Sequence, residues 1–566
     1  MSAGPRPGDA PGKTEPADER SPRTHPPRSE IGARTEIRPP TRPPAARLAP
    51  VLTVAGLALL GIAFELVYGQ APLYTGNQHT YVLHGLAQAG VGLLPLDWQA
   101  NTVDPTPATS VLVAAAAGLG SEWLLILLHV GLIGAYGVAL VAIGVRLLRL
   151  DGLPRRLVFV ALLLFVHSWV AARLGLGLAD DIRSLASKGL AGQYAPGLTF
   201  QPSLFGVLIV ASLLVYARGR LLAAVALASA AAIFHPTYLL SAVVLCGAYL
   251  ADVYARSRDF RTVAQAAALA TVLLVPVAVY ALVAFAPAPG GAHEAAQNVL
   301  VDYRIPHHAK PSKWFAPDDA LRLAIVAGGL LVAWRTVLFP VLALSVAAAA
   351  TLTAVQLATG SETLALLFPW RVSVWLVPVS AALLLAAATR AVFALGGALG
   401  RLAAWSSPAR AARLESSGRA AIGVLAGLLI AVSLVAGLPQ IGRLSAEPRR
   451  GPAAALVAGE ARPGAIFLIP PRLHEFRVDA QVPVYVDYKS NPYEDLEVLA
   501  WRDRLRAATR VYRRGRIECR RAAALAPRAR ITHVVTEGRM RGERCPDLTR
   551  VRRTGALTLF RVAGAG

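Results

Sequence analysis

Most residues able to do chemistry sit in a few polar stretches of an otherwise apolar chain. One runs Tyr74-Thr-Gly-Asn-Gln-His-Thr-Tyr81, then His84, then Leu96-Asp-Trp-Gln-Ala-Asn-Thr-Val-Asp-Pro105. Its carboxylates, Asp97 and Asp104, could serve as a general base or as metal ligands. The plainer alternative is that Asp97 caps a turn and Asp104-Pro105 starts a helix. A later stretch reads Val301-Asp-Tyr-Arg-Ile-Pro-His-His-Ala-Lys-Pro-Ser-Lys-Trp314. Adjacent histidines do not share a strand face, so His307 and His308 would need a turn to bind one metal, and Pro306 could supply it. With Arg304, Lys310 and Lys313 close by, phosphate is the more natural ligand, because these cations donate several charge-assisted hydrogen bonds to its oxygens. The alternative is an interfacial loop whose basic and aromatic residues meet lipid headgroups.

Smaller features extend the set. Ala179-Asp-Asp181, Gly192-Gln-Tyr-Ala-Pro196 (with Tyr194), Phe200-Gln-Pro202, His235-Pro236 and Phe368-Pro-Trp-Arg371 all join polar or aromatic groups to turn residues. Glu65, His167 and Arg173 lie in or near apolar runs, where ionisable side chains usually face a cavity or a partner. The chain contains no phosphate loop, dinucleotide glycine motif, serine nucleophile elbow or clustered Cys/His zinc pattern.

The elements that must position these residues are apolar helices. The chain has 566 residues, 55% hydrophobic and only 16% charged, against about 25% charged in a soluble domain. Its mean hydropathy is +0.49. Apolar runs of spanning or near-spanning length start near Leu48, Glu122, Leu157, Ser203, Leu221, Thr237, Thr262, Leu321, Val337, Val372 and Ala420, which predicts about eleven crossings. The stretch from Ser110 to Gly120 is shorter and reads as a helix at the interface. No cleavable signal peptide is expected, because the first apolar run follows a long polar leader. Residues 1–46, rich in Pro and Arg without apolar periodicity, read as a disordered cytoplasmic tail.

The net charge of +23 might suggest nucleic acid, but its distribution argues against that partner. Arginines cluster in every second short loop: Arg38, Arg42 and Arg47, then Arg146 to Arg156, Arg218 with Arg220, Arg256 to Arg261, Arg335, and Arg401 to Arg413. Such loops face the cytoplasm. The opposite loops, 69–109, 178–202, 287–319 and 359–371, carry the chemistry-bearing residues. An odd number of crossings then places the region after the 47–441 membrane domain on that same outer side. A multi-pass membrane protein with a cytoplasmic N-terminus is therefore expected.

Residues 442–566 read as an extracytoplasmic α/β domain. Ala465–Ile469, Val482–Val486, Ile531–Val535 and Leu557–Val562 have strand patterns, and Glu494–Val511 a helical one. Cys246 lies in an apolar run, whereas Cys519 and Cys545 both belong to this domain. In an oxidising space their pairing would contribute about 3 kcal/mol, and two free thiols are the other reading. The region holds 25 Arg and Lys against 13 Asp and Glu. That fits a surface for anionic headgroups, lipid phosphates or acidic glycans, or simply the arginine bias of a GC-rich genome.

An N-in bundle of about eleven helices, a long first outer loop and an outer C-terminal α/β domain together resemble the GT-C class of membrane glycosyltransferases, over residues 48–562. The segments Phe200-Gln-Pro-Ser203, Phe234-His-Pro-Thr-Tyr238, Arg304-Ile-Pro-His-His308 and Pro369-Trp-Arg371 also look like those of a group of bacterial polytopic proteins with this layout. The resemblance implies sugar transfer from a polyprenyl-phosphate donor, with membrane lipid and the lipid-linked substrate as partners and a divalent metal in some members. It implies an acidic residue, often an Asp-Glu pair, just after the first helix. The matching stretch here is Asn77-Gln-His79, and an amide cannot act as a base. Asp97, Asp104 or His79 would then take that role, or transfer has been lost. Asn77, Gln78, Tyr194, Arg304, His307, His308 and Arg371 would contact substrate, the last four holding the donor phosphate. A lipid or glycan transporter, and a non-catalytic envelope protein, are the competing readings.

Overall fold

The computed structural model describes residues 45–69, 71–175, 177, 179–314, 316–444, 451–513, 516–538 and 545–564. The tail expected over 1–46 lies almost wholly outside them. All eleven apolar runs are helical, and the chain is a polytopic α-helical membrane protein with a small C-terminal α/β region. Six segments among the described residues are long and apolar enough to cross a membrane: Trp123–Leu147, Pro236–Ser257, Phe260–Ala284, Phe339–Thr359, Glu362–Leu402 and Ser416–Gly442. Among the others are shorter helices, such as Leu153–Val166, Leu221–Phe234 and Pro317–Ala333. The predicted interfacial helix is Pro107–Gly118. It is tied to the bundle by the Thr109 hydroxyl, which donates to the Phe234 carbonyl at 2.7 Å.

Small residues let the helices approach closely, as membrane packing without a hydrophobic drive between helices requires. A Cβ on Gly61 would lie 3.3 Å from the Gly134 backbone, and one on Gly437 would strike the Leu66 carbonyl. Several ionisable groups inside the bundle have partners. Glu65 bonds His129 at 3.0 Å, and the other ring nitrogen of His129 meets the Gly197 carbonyl at 2.8 Å. His167 bonds Tyr136 and the Leu163 carbonyl. Arg173 is exposed.

The C-terminal region carries a four-stranded sheet in the order β1 (Phe467–Leu468), β4 (His533–Glu537), β6 (Leu557–Val562), β5 (Leu548–Thr554). The β1–β4 pair is parallel and the others antiparallel. A separate hairpin joins β2 (Tyr512–Arg513) to β3 (Arg516–Ile517). Alternate residues bury opposite faces. Phe467, Ile469, Val535, Leu557 and Leu559 pack against Leu456 and Phe476, while Leu468, Val534 and Val562 pack against Trp501, Leu505 and Ala522. The helix Asp495–Val511 starts where Glu494 accepts a hydrogen bond from the Glu497 amide, as the sequence pattern predicts.

Two expectations fail locally. Val482–Val486 is not a strand: it touches β1 through a single bridge at Val484. Pro483 accepts from the Phe467 amide but has no N–H to extend a ladder. Conversely, β5 and the helix Cys519–Ala529 are present without having been expected. Cys519 and Cys545 are joined in a disulfide with their Cα atoms 5.2 Å apart.

Candidate functional site

Cations without carboxylate partners collect where the loops 287–319 and 359–371 meet the C-terminal region. Phe368 adopts a left-handed backbone (φ +49°), and Pro369 then opens a short turn that folds Trp370 and Arg371 inward. The Arg371 guanidinium lies 4.5 Å from the centroid of the Tyr238 ring. Its Nε and Nη2 are buried and donate to no acceptor. Arg304 ends a π-helical turn, Val299–Arg304, a geometry often found at functional positions. Its Nη2 donates to the Lys489 carbonyl at 3.0 Å, its guanidinium stacks 5.0 Å from Tyr488, and its Nε is buried without an acceptor. Burial and the neighbouring Arg304 hold the Lys489 amine below its usual range. Among the described residues, Arg304, Arg371 and Lys489 have no carboxylate within ion-pair distance. Arg371 is buried and the other two are half-buried, and an anion among them would offset the cost of desolvating unpaired charge.

His308 stands beside these cations. Its Nδ1 lies 2.6 Å from the Ala191 carbonyl, so this nitrogen carries the proton and Nε2 keeps its lone pair. Burial, with His307 against it at 4.0 Å between ring centroids, lowers His308 to about 4. Ala191 is itself left-handed (φ +57°). Its amide donates to Asp319 at 3.2 Å, and Asp319 and Asp180 both hold the buried Arg322. Strain kept at one residue and braced from two sides is the usual signature of a constrained site.

The loop over residues 69–109 supplies the other wall. Asn77 donates to the Tyr194 hydroxyl at 2.6 Å. Gln78 is a brace: its Oε1 accepts from the Tyr74 amide at 2.6 Å, and its Nε2 donates to the Phe200 carbonyl at 2.9 Å. A carboxylate could not make that donation. The buried His79 sets its ring against His474 at 5.3 Å, and its Nδ1 has no partner. Burial and His474 lower it to about 4. Tyr81 lies within electrostatic reach of both Arg304 and Arg371.

The two aspartates have different surroundings. Asp97 is fully engaged: Oδ1 caps the Ala100 amide at 2.8 Å, while Oδ2 accepts from Val484 N at 2.8 Å and from Arg477 Nε at 2.9 Å. Arg477 also binds Asp487 and, at 2.5 Å, Gln99. This wholly buried cluster clamps the 69–109 loop to the C-terminal region. Asp104 uses Oδ1 on the Thr106 amide at 2.8 Å, but its Oδ2 is buried without a partner. A crevice lined by Tyr81, His84, Pro105, Thr106 and Asn491 leads from Tyr81 to the Asp104 turn.

The structure thus gathers Arg304, Arg371, His307 and His308 and faces them with Tyr81; the adjoining crevice is lined by Pro105 and Thr106, the residues that follow Asp104, and not by Asp104 itself. It leaves Asp97 in the clamp and His79 against His474. Sequence reasoning passed over Tyr81, Tyr238 and Lys489 as site residues. One signal was available for Lys489: in this arginine-rich chain the lysines after the leader are Lys188, Lys310, Lys313 and Lys489, all on the loops 178–202 and 287–319 or in the C-terminal region. Among the described residues no three His, Cys, Asp or Glu side chains converge as metal ligands, and no metal step is derived.

A family described as a domain of unknown function (DUF6798) matches residues 452–508, the segment that supplies Arg477, Asp487 and Lys489. No curated protein matches the chain. Among solved structures, ArnT from Cupriavidus metallidurans bound to undecaprenyl phosphate is similar at 15% identity and a TM-score of 0.44, covering 92% of this chain and 99% of that one. The apo state of the same protein gives 12% identity and a TM-score of 0.38 over the same shares.

Proposed function

We propose that this protein transfers a sugar, or a related group, from a polyprenyl-phosphate donor to an acceptor hydroxyl on the outer face of a bacterial plasma membrane, in envelope glycan assembly. The observation that carries this reading is the set of cations without carboxylate partners, the buried Arg371 with the half-buried Arg304 and Lys489, at the end of an apolar bundle. Those groups hold the donor phosphate and stabilise the negative charge it gains as the sugar–oxygen bond breaks. The acceptor oxygen attacks the sugar carbon, and its proton passes to the free Oδ2 of Asp104. Tyr81 and Tyr194 shape the space between, and the apolar helices accommodate the polyprenyl tail.

The test is an Asp104→Asn, Arg304→Ala and Arg371→Ala series scored for loss of an envelope glycan at normal protein levels. Loss in all three supports the reading. Unchanged glycans in all three would favour a non-catalytic envelope protein, for which the amide at Gln78 is the motivating observation. Retained transfer in Asp104→Asn alone would move the base elsewhere while leaving the phosphate site intact.

A further inference from the structure

We propose a second binding site, in the C-terminal region, for a saccharide bearing a carboxylate or phosphate group. Parallel strands β1 and β4 end side by side, and the crevice beyond the carboxyl ends of parallel strands is where α/β sheets commonly bind ligands. A cavity of about 320 Å³ opens there, at the lower end of the roughly 300–1,000 Å³ usual for small-molecule sites. Arg472 and Arg516 stand at its rim against one acid, Glu537, so the balance is positive. Pro470, Pro471 and Ile517 supply a flat apolar wall suited to the C–H face of a pyranose ring. Thr536 lines the cavity, is 3% exposed, and its hydroxyl has no partner. A buried hydroxyl without a partner is costly, and a ligand oxygen would satisfy it.

This cavity is coupled to the phosphate cluster through one stretch of backbone. The Pro471 carbonyl accepts from the Tyr488 amide at 2.8 Å, and Tyr488 is the ring on which Arg304 stacks. A saccharide held at Pro471 would therefore be linked through Tyr488 to Arg304 of the proposed donor site, which fits the acceptor glycan or its grown product. That acceptor role rests on the transferase reading; binding of the acidic saccharide does not.

The experiment uses the full chain in lipid nanodiscs and measures binding of two oligosaccharides, identical except for a terminal glucuronic acid or glucose. The acidic one is expected to bind about tenfold more tightly. Arg472→Ala/Arg516→Ala should abolish that preference, Arg472→Lys/Arg516→Lys should keep most of it, and Thr536→Val should weaken both sugars. Unfolding midpoints confirm that each variant folds. Equal binding of the two sugars, or an unchanged preference in the double alanine variant, overturns the proposal. Inorganic phosphate binding as tightly as the acidic saccharide overturns its sugar component. Acid-selective binding by a chain that shows no transfer would sink the transferase reading and leave this site standing.

Discussion

At the scale of single residues, Gln78 shows how a residue type can be legible while its task is not. The sequence reveals an amide where the resembled family carries acid. Only the structure shows that its N–H donation to Phe200 braces the loop. Gln78→Glu is therefore expected to destabilise the protein by about 1–3 kcal/mol, the cost of leaving a buried carbonyl unpaired, without raising activity; a gain in glycan synthesis would refute this. Arg371 was legible as a site residue because Phe-Pro-Trp-Arg follows an outer loop, and Arg371→Ala should reduce transfer by about 10²–10³-fold if it stabilises leaving-group charge. A fall of under tenfold with normal expression would count against that role. His308 adds a pH dependence. Its folded value of about 4 lies below the unfolded value of about 6.5. Its contribution to stability is thus complete above pH 6.5 and lost as pH falls through 4. Wild type should lose more of its unfolding midpoint between pH 6.5 and 4 than His308→Gln, whose amide can still donate to Ala191; equal losses would contradict the assignment.

At the scale of elements, periodicity and Pro/Gly punctuation revealed the helices, because a run of some 20 apolar residues has few alternatives. The sheet was less legible. Its strands are short, Pro483 stops one of them, and β5 carries Arg550, Arg552 and Arg553 in place of an apolar face. The clamp was hidden for another reason: Asp97 and Arg477 are 380 residues apart, and no local pattern announces such a pair. Their geometry predicts how the elements fail together. Arg477→Met leaves Asp97 and Asp487 buried without their cation, which typically costs about 3–5 kcal/mol. It should loosen the first outer loop and the C-terminal region as a unit. Limited proteolysis is expected to cut both sooner in Arg477→Met than in wild type, with the transmembrane helices retained. A variant as resistant as wild type would show that the clamp is not what holds the loop.

At the scale of the whole molecule, the argument from sequence is one of sidedness. Basic loops alternate with loops rich in Asp, His and aromatic residues, and the structure gathers the second kind, together with the C-terminal region, around Arg304 and Arg371. The disulfide between Cys519 and Cys545 is chemistry suited to an oxidising compartment. The positive-inside rule acts on short loops and leaves long domains largely unconstrained. An arginine-rich C-terminal region can therefore lie outside while Arg256, Arg258 and Arg261 stay within. Two exposed positions separate the alternatives. Asp503 lies on the surface of the helix Asp495–Val511, and Ser257 ends the helix Leu239–Ser257 beside those arginines. With Cys246 buried and the other two cysteines bonded, a new thiol at either position is the reactive one among the described residues. A membrane-impermeant maleimide added to intact spheroplasts should label Asp503→Cys at once, and Ser257→Cys only after permeabilisation. The reverse pattern would invert the molecule, put the cationic cluster on the cytoplasmic side, and require a donor presented from that leaflet.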